Sequence, residues 1–315
     1  MRNNERFEKS TVIASRVYFP KRTNPAMRFP SRLLTCVALI FFALALPFAS
    51  LHAQTLRVMT FNVRTGIAND GLNDWDHRRD IMVRTIREQH PDVFGTQELN
   101  KFQGDYIVSK LPQYVWFGIG RHGDDSDEHM GVFYRTDRLR VIDSGNYWLS
   151  DTPDKPGSIT WGNPYPRMVT WALFERKGDG RRFYYCNTHF PYREQDELAR
   201  TRSAEEILAR LNALPDKAPI VMTGDFNSAP DKPDHAVLTS LLDDAWISAG
   251  SHGGPEKTFH NFTGTPDRRI DWILYRGFHA ITAKTITTNE AGHYPSDHFP
   301  VVAELAWAAT ATRRH

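Results

Sequence analysis

Residues 221–227 read VMTGDFN, an apolar strand that ends in an acid and an amide two positions apart. A run of this kind is typical of a strand in the interior of a sheet. Other predicted strands end in polar residues in the same way, MTFN (59–62), FGTQE (94–98) and CNTH (186–189), while PSDH (295–298) precedes the last one. One polar residue at a strand end is usually a turn former. Because ligands collect at the ends of sheet strands, this set of polar ends predicts one shared functional site.

The stretch from residue 55 to residue 307 alternates predicted strands with a few long helices. The strands are predicted at residues 56–64, 92–97, 114–119, 130–135, 139–148, 168–175, 182–189, 219–223, 269–275, 280–287 and 300–305. The helices are predicted at 75–89, with Asp74 as N-cap, at 100–111, and at 194–214, with Leu198, Ile207, Leu208 and Leu211 on one face. Loops rich in Gly, Pro and Asp are predicted at 120–128, 150–166 and 228–234. We find no repeat or linker, so the predicted fold class is α/β, a sandwich of two mixed β-sheets packed face to face with helices outside.

The composition excludes several classes of protein. The chain has 315 residues, of which 40% are hydrophobic and 24% are charged. These values are close to globular averages and exclude disordered, collagen-like and coiled-coil proteins. Two cysteines, Cys36 and Cys186, are too few for a disulfide framework or a cysteine-based zinc site.

The charge is unevenly distributed along the chain. Residues 1–53 hold eight Lys or Arg and two Asp or Glu, so residues 54–315 carry a net charge of −4 although the whole chain carries +2. An acidic domain has no general attraction for nucleic acid or for anionic lipid. Any phosphate group must therefore be held by local cations or by a metal ion.

The N-terminal segment has the pattern of a secretory signal peptide. Arginines are followed by an apolar run over residues 33–46 and by small residues up to Ala53. This order predicts cleavage after Ala53 and a start codon at Met27. The alternative is a retained anchor, for which the run is short compared with a span of about 20 residues. We therefore expect residues 1–53 to be an extension with signal peptide, and the domain over 54–315 to be secreted or periplasmic.

The polar strand ends suit a hard metal ion. Mg²⁺ prefers oxygen ligands and usually takes one or two carboxylates together with water and phosphate oxygens. Glu98 is the natural carboxylate ligand, and Asn62 can add an amide oxygen. A zinc site would require more His or Cys residues close together. We therefore predict Mg²⁺ as the cofactor, with Mn²⁺ as a substitute.

Two histidines and an Asp–Asn turn complete a set suited to hydrolysis of phosphoesters. His189 and His298 can contact phosphate oxygens or move a proton. Asp225 and Asn227 lie on one tight turn and can orient an attacking water. The sequence leaves open whether Asp225 or His298 acts as the base.

The same residues resemble a known family, the endonuclease/exonuclease/phosphatase (DNase I-like) superfamily. The motifs that carry the resemblance occur in the family's order, and GIGR (118–121) and VFYR (132–135) resemble a secreted bacterial branch. The six motifs are FNVR (61–64), QEL (97–99), NTHF (187–190), GDFN (224–227), RIDWIL (269–274) and SDHFP (296–300). The resemblance covers roughly residues 56–307 and implies a four-layer α/β sandwich and a metal-dependent phosphoesterase.

The resemblance also implies roles for single residues. Asp271 would orient His298, and because Asp271 lies within an apolar strand, its carboxylate is costly unless it is paired. We therefore expect a hydrogen bond between these two side chains. Asp297 would be a further acid on the metal side of the site.

Several residues outside this set are candidates for binding substrate. Arg167 follows Pro-Tyr-Pro and would clamp phosphate, and Arg200, Glu128 and His260 are further candidates. Each also has a simpler interpretation, such as a surface arginine or a solvated loop acid. Trp148 and Trp161 could stack a base or a sugar, although the tryptophans of this chain are mostly expected to anchor core and loops.

These observations predict a secreted Mg²⁺-dependent phosphoesterase that hydrolyses phosphodiester bonds in a nucleic acid or a small substrate. The alternatives are a phosphomonoesterase or phospholipase of the same fold, or a non-enzymatic surface-binding module. No basic or groove-inserting loop of the kind that grips duplex DNA is visible in the sequence, so nucleic acid is not strongly supported as a partner. We expect a monomer, with no stable membrane partner if the signal peptide is cleaved.

Export gives the first testable prediction. N-terminal sequencing of the protein from its own host should begin near Gln54, because the segment before it has the pattern of a cleaved signal peptide. A soluble cytoplasmic product that begins at Met1 would contradict this interpretation.

Overall fold

The structure, a computed structural model, describes residues 55–214 and 218–308. The predicted signal peptide and its cleavage site lie outside these residues. The strands are β1 (Thr55–Asn62), β2 (Val93–Gln97), β3 (Tyr114–Phe117), β4 (Val132–Arg135), β5 (Leu139–Trp148), β6 (Met168–Arg176), β7 (Arg182–His189), β8 (Ile220–Asp225), β9 (Asp243–Asp244), β10 (Ser251–Gly253), β11 (Asp271–Arg276), β12 (Phe278–Thr285) and β13 (Val301–Trp307). The helices are α1 (Trp75–Gln89), α2 (Lys101–Lys110), α3 (Glu197–Asn212), α4 (Pro233–Thr239) and α5 (Ala245–Ser248).

The strands form two mixed sheets. The seven-stranded sheet has the order β10-β12-β13-β1-β2-β4-β3, and the six-stranded sheet has the order β5-β6-β7-β8-β11-β9. Strands β1 and β2 run parallel, as do β7 and β8, and the strands that flank them are antiparallel. The central strands of the two sheets lie against each other, β1 against β8 and β2 against β7. The predicted sandwich of two mixed sheets is confirmed.

Alternate residues along the central strands face different layers, as the period of a strand requires. Val58 and Val221 face the core between the sheets. Their neighbours point the other way, Met59 toward the layer of α1 and α2, and Met222 toward the layer of α3 and α4. The architecture therefore has four layers, helix, sheet, sheet and helix, and strands buried on both faces explain the near-continuous apolar runs of the sequence.

The bounds of the long helices were close to those predicted, but the buried face of one helix was assigned wrongly. Helix α1 has the predicted bounds. The predicted helix at 194–214 is a 3-10 turn over Glu194–Asp196 followed by α3. The placement of Leu198 beside Ile207 on one face was wrong, because Leu198 is 64% exposed and Ile207 is fully buried. Nine residues separate them, which is about two and a half turns at 3.6 residues per turn, so they lie on opposite sides of the helix.

Sequence analysis missed the short elements between β8 and β11. Helix α4 begins with Pro233 in the first turn, although this position was predicted as the end of a loop. Strand β9 has two residues and exists because Asp244 pairs with Leu274 of β11. Such a pairing depends on a distant segment, so no local pattern indicates it. Within the described ranges, no helix combines the length and the apolar character needed to cross a membrane.

A buried polar layer joins the two sheets directly beneath the strand ends. Gln97 of β2 donates its side-chain amide to Asn187 Oδ1 of β7 at 2.7 Å. Asn187 donates in turn to the backbone oxygens of Thr96 and Gly131 at 2.8 and 3.0 Å, and Thr223 Oγ1 donates to Asn187 Oδ1 at 3.1 Å. These hydrogen bonds between the sheets favour one arrangement of them, although Gln97 Oε1 has no hydrogen-bond partner among the described residues.

Gly95 gives a prediction about this layer. A Cβ atom at Gly95 would overlap Asn187 Oδ1 and Thr223 Oγ1, so Gly95→Ala should destabilise the fold by about 1–3 kcal/mol through overpacking. Gly178 is the matched control, because a Cβ atom there meets nothing within 4 Å. Denaturant unfolding of both variants measures the effect, and equal stabilities for the two would show that the layer adapts freely.

Candidate active site

The predicted strand ends meet at one edge of the sandwich. Strands β1 and β2 end there, and so do β7 and β8. Strand β11 runs antiparallel to β8, with Asp271 opposite Asp225, and β13 runs antiparallel to β1, so both begin at the same edge. A cavity of about 410 Å³ opens here, and the predicted residues that line it are Glu98, Glu128, Arg167, His189, Asp225, Asn227, Asp297 and His298.

Asp225 lies at the centre of the site. Its Oδ2 accepts a hydrogen bond from Asn62 Nδ2 at 2.9 Å. The same oxygen lies 3.5 Å from His189 Nε2 and 3.7 Å from His298 Nε2. Its Oδ1 accepts the backbone N–H of Asn227 at 2.9 Å, and Asn227 adopts a left-handed conformation with φ of 48°. The turn therefore aims the carboxylate between the two histidines.

The contact between His298 and Asp271 is present as the sequence predicted. His298 Nδ1 donates to Asp271 Oδ2 at 2.9 Å, and both side chains are buried. Burial lowers the pKa of His298, but the charges of Asp271 and Asp225 outweigh it and raise the pKa to about 10. Burial, helped by the charge of Asp271, raises the pKa of Asp225 to about 7. At neutral pH His298 is therefore a charged donor whose Nε2 faces Asp225.

His189 has the opposite protonation state. Asn227 Nδ2 lies at hydrogen-bond distance from His189 Nε2, at 2.9 Å, and His189 Nδ1 has no hydrogen-bond partner among the described residues. Burial, together with the charge of Arg167, lowers the pKa of His189 well below its usual value. The two histidines therefore differ, one neutral and one cationic, across the same carboxylate.

Three further carboxylates face the cavity and suit a divalent cation. Glu98 follows β2 in a left-handed conformation with φ of 58°, and its Oε2 accepts the N–H of Thr65 at 3.2 Å. Burial raises the pKa of Asp297, and the charge of Glu98 adds to this. Burial and the charge of Glu98 likewise raise the pKa of Glu128 to about 7. Arg64 lies 3.8 Å from Glu98, and Arg121 lies 3.0 Å from Glu128. A set of carboxylate oxygens of this kind fits a hard divalent cation.

Asn62, whose role as an oxygen ligand stays a prediction, makes three side-chain hydrogen bonds to its neighbours in the structure. Its Oδ1 accepts the N–H of Arg64 at 2.9 Å, because Arg64 turns back in a left-handed conformation with φ of 53°. Its Nδ2 donates to Glu98 Oε1 at 3.1 Å and to Asp225. Asn62 is thus a hydrogen-bonding bridge between two carboxylates.

A second group of possible metal ligands lies deeper in the site. Asp225, Asp271 and His298 bring ligand atoms within 4.8 Å of one another. The hydrogen bond between His298 and Asp271 already uses one atom of each, so these two side chains are paired with each other. The carboxylates around Glu98 are therefore the better candidates for holding a metal ion.

Arg167 is a cation buried in the wall of the cavity. It is 4% exposed, and its Nη1 has no hydrogen-bond partner among the residues that the structure describes. Burial lowers the pKa of this guanidinium, while the charge of Glu128 opposes the shift. Its position agrees with the expected phosphate clamp.

Arg200 and His260 lie outside the lining of the cavity. Arg200 donates to the backbone oxygens of Pro191 and Arg193 at 2.9 and 2.8 Å. His260 Nδ1 accepts the N–H of Gly264 at 3.2 Å. Both positions favour a structural role over the contact with substrate that we expected.

The two tryptophans that could stack a base or a sugar make other contacts in the structure. Trp148 is buried and donates its ring N–H to the backbone oxygen of Arg121 at 2.7 Å. Trp161 donates to Asp151 at 2.8 Å. Sequence reasoning missed the aromatic and basic residues of the rim, and the repeated prolines around Tyr165 are their clearest signal in the sequence. The lining residues that were not predicted as site residues are Arg64, Thr65, Arg121, Tyr165, Tyr192, Phe259, Asn261, Arg268 and Ile270.

Comparison with known proteins agrees with this geometry. Residues 59–298 match the Endonuclease/Exonuclease/phosphatase family. An endonuclease/exonuclease/phosphatase from Bacteroides vulgatus is 31% identical, with a TM-score of 0.76 over 80% of this chain and 99% of that chain. A mannosyl-6-phosphatase from Bacteroides thetaiotaomicron is 30% identical, with a TM-score of 0.75 over 80% of this chain and 100% of that chain. Rat nocturnin is 22% identical over 80% of this chain and 66% of its own length, so the chain spans about two thirds of that relative.

Asp271→Asn provides a test of the electrostatics. Removal of the negative charge should lower the pKa of His298 from about 10, which NMR titration of the metal-free protein measures. The pKa of His298 in the folded protein lies above the ordinary value of 6.5. The charged histidine therefore makes its full contribution to the free energy of unfolding below pH 6.5, and this contribution is lost as the pH rises toward 10. The free energy of unfolding should therefore fall less over this range in Asp271→Asn than in wild type.

The exposed Asp231 supplies the control, and Asp231→Asn should leave the titration of His298 as in wild type. An unchanged pKa of His298 in Asp271→Asn would show that this carboxylate does not set the protonation state of the ring.

Proposed function

Since the chain belongs to the endonuclease/exonuclease/phosphatase family and is a hydrolase acting on phosphoesters, we propose that it hydrolyses small phosphoesters with the help of a divalent cation. The observation that carries the proposal is the placement of Asp225 between a neutral His189 and a cationic His298. The buried guanidinium of Arg167 in the same wall adds a position for the phosphate.

The protonation states suggest how the residues divide the reaction. His298 is charged, so it donates Nε2–H to phosphate oxygens, where it stabilises negative charge as it develops. Asp225 has a pKa of about 7, which is close to the value that favours a general base at neutral pH. We therefore assign acceptance of the proton from water to Asp225, and positioning of His298 to Asp271.

Glu98 and Asp297 would hold the cation, with Glu128 nearby. A bound Mg²⁺ or Mn²⁺ would neutralise charge on the phosphate and make the phosphorus easier to attack. The oxygen-only character of these side chains supports such ions over zinc.

The likeness to a mannosyl-6-phosphatase at 30% identity favours a phosphomonoester among small substrates. A small phosphodiester, as the sequence predicts, would meet the same residues, because the histidines and Arg167 act on the phosphate whichever group leaves. The net charge of −4 over residues 54–315 disfavours a long nucleic acid.

We also propose that the protein is a secreted or periplasmic monomer from a bacterial branch of the family. The signal-peptide pattern supports the location, and N-terminal sequencing of the native protein tests it. Light scattering of the purified protein tests the monomer.

The activity is tested with the purified protein on mannose 6-phosphate, bis-p-nitrophenyl phosphate and plasmid DNA, with Mg²⁺, Mn²⁺ or EDTA. We expect hydrolysis of a small phosphoester that EDTA abolishes and added Mg²⁺ or Mn²⁺ restores. Activity that survives the chelator would remove the metal from the proposal. Inactivity on every phosphoester would overturn the proposal and favour the surface-binding module.

Two variants test the assigned residues in the same assay. Glu98→Ala should lose most activity and recover part of it at high metal concentration. Arg167→Ala should lower kcat/KM by ~10- to 100-fold, the scale of one charge-assisted contact. The control is Arg202→Ala, because Arg202 is an exposed arginine of α3 and should behave as wild type. Unchanged kinetics of Arg167→Ala would exclude it as the phosphate clamp.

A further inference from the structure

Two tyrosines at the mouth of the cavity have no role in the chemistry described so far. Tyr165 and Tyr192 both line the cavity, and they are 43% and 51% exposed. Their ring centroids lie 6.3 Å apart with planes inclined by 24°. The Arg121 guanidinium lies 4.5 Å from the centroid of the Tyr165 ring. We call Tyr165 and Tyr192 the tyrosine platform, an exposed aromatic surface next to the proposed phosphate position.

The loop that carries Tyr165 is constrained. Tyr165 lies between Pro164 and Pro166, whose rings fix their own φ angles and restrict the residue before each. Asn163 Nδ2 donates to the backbone oxygen of Tyr165 at 2.7 Å. Side chains on constrained backbone lose little entropy when they bind, so this ring is suited to recognition.

Arg200 holds the second loop. Its guanidinium donates to the backbone oxygens of Pro191 and Arg193, the residues on either side of Tyr192. Arg193 Nη2 donates to the backbone oxygen of Gly162 at 2.7 Å and so ties this loop to the loop of Tyr165. Arg200, expected from the sequence to bind substrate, is thus a positioning residue for the tyrosine platform.

Another part of the cavity lining carries polar groups. Phe259 lines it, but the guanidinium of Arg268 covers the ring at 4.2 Å from the centroid. Asn261 lies on the same side. Arg121 likewise lies over one face of the Tyr165 ring, but Tyr165 and Tyr192 remain 43% and 51% exposed, so the cavity offers both exposed aromatic rings and hydrogen-bonding groups. A pyranose ring has one apolar C–H face and a rim of hydroxyl groups, whereas a nucleobase has two apolar faces and favours stacking on both.

We propose that the tyrosine platform binds the pyranose ring of a sugar phosphate and so sets the substrate class of the enzyme. The inference rests on the proposed function, because it places the phosphate of that sugar beside Arg167 and His298. The tyrosines would contact the C–H face of the ring, while Asn261 and Arg268 would meet its hydroxyl groups.

The test compares binding of mannose 6-phosphate, glycerol 3-phosphate and AMP by NMR titration in the presence of EDTA, so that no turnover occurs. Wild type should bind the sugar phosphate more tightly than the other two. Tyr165→Ala and Tyr192→Ala should each reduce this preference by ~10-fold, the scale of one aromatic contact. Tyr165→Phe keeps the ring and should keep the preference.

Phe102 is the matched control, since it is an exposed aromatic residue at 45% outside the lining of the cavity. Phe102→Ala should retain the preference of wild type. Arg200→Gln should lower the preference in the manner of Tyr192→Ala and, in the activity assay, should raise KM more than it lowers kcat. A change of equal size in KM and kcat would show that Arg200 serves the fold in general.

Failure of this inference and failure of the proposed function give different results. An unchanged preference in both alanine variants, or no preference in wild type, would overturn the platform even if phosphoesters are hydrolysed. A loss of binding confined to AMP would assign the platform to a nucleobase instead. Lack of turnover on all substrates, with the sugar preference intact, would overturn only the proposed hydrolysis.

Discussion

The site depends on the hydrogen bonds that one amide makes across the sandwich. Asn62 belongs to the seven-stranded sheet, and its Nδ2 donates both to Glu98 of the same sheet and to Asp225 of the other. The groups proposed for metal binding and for proton transfer are therefore held at one separation by a buried side chain. The polar layer around Gln97 and Asn187 joins the same two sheets deeper in the sandwich. A shift of either sheet would therefore break the hydrogen bonds of Asn62 and those of this layer.

Charge explains why these acids can be buried together. Burial raises the pKa of Asp225, and repulsion from Asp271 adds to this shift, while the charge of His298 opposes it. Around Glu98, burial raises the pKa of Asp297 and of Glu128, and the charge of Glu98 adds to both shifts, while Arg64 and Arg121 oppose them. A divalent cation bound to these carboxylates would favour their charged forms, which agrees with the chemistry proposed for the site.

The features of the fold that depend on local sequence patterns, and on the polar residues at strand ends, were predicted from the sequence. The longer strands and helix α1 followed from apolar runs and their periodicity. The pairing of His298 with Asp271 followed from the family resemblance and from the cost of an unpaired carboxylate in an apolar strand. The tyrosine platform and the role of Arg200 did not follow, because they depend on which loops meet in space. The orientation of the Asn62 amide is set by the turn at Arg64, which no residue type indicates in advance.

The outer helix layer also supports the site. Arg78 of α1 is almost completely buried, and burial lowers its pKa to about 10, so it remains charged at neutral pH. Its guanidinium donates to the backbone oxygens of Val63 and Arg64, after β1, and of Pro295, before Asp297. One buried cation thus holds the two loops that carry groups on the metal side of the site. The position of Asp297 consequently depends on how α1 packs, which links the outer helix layer to the site at the strand ends.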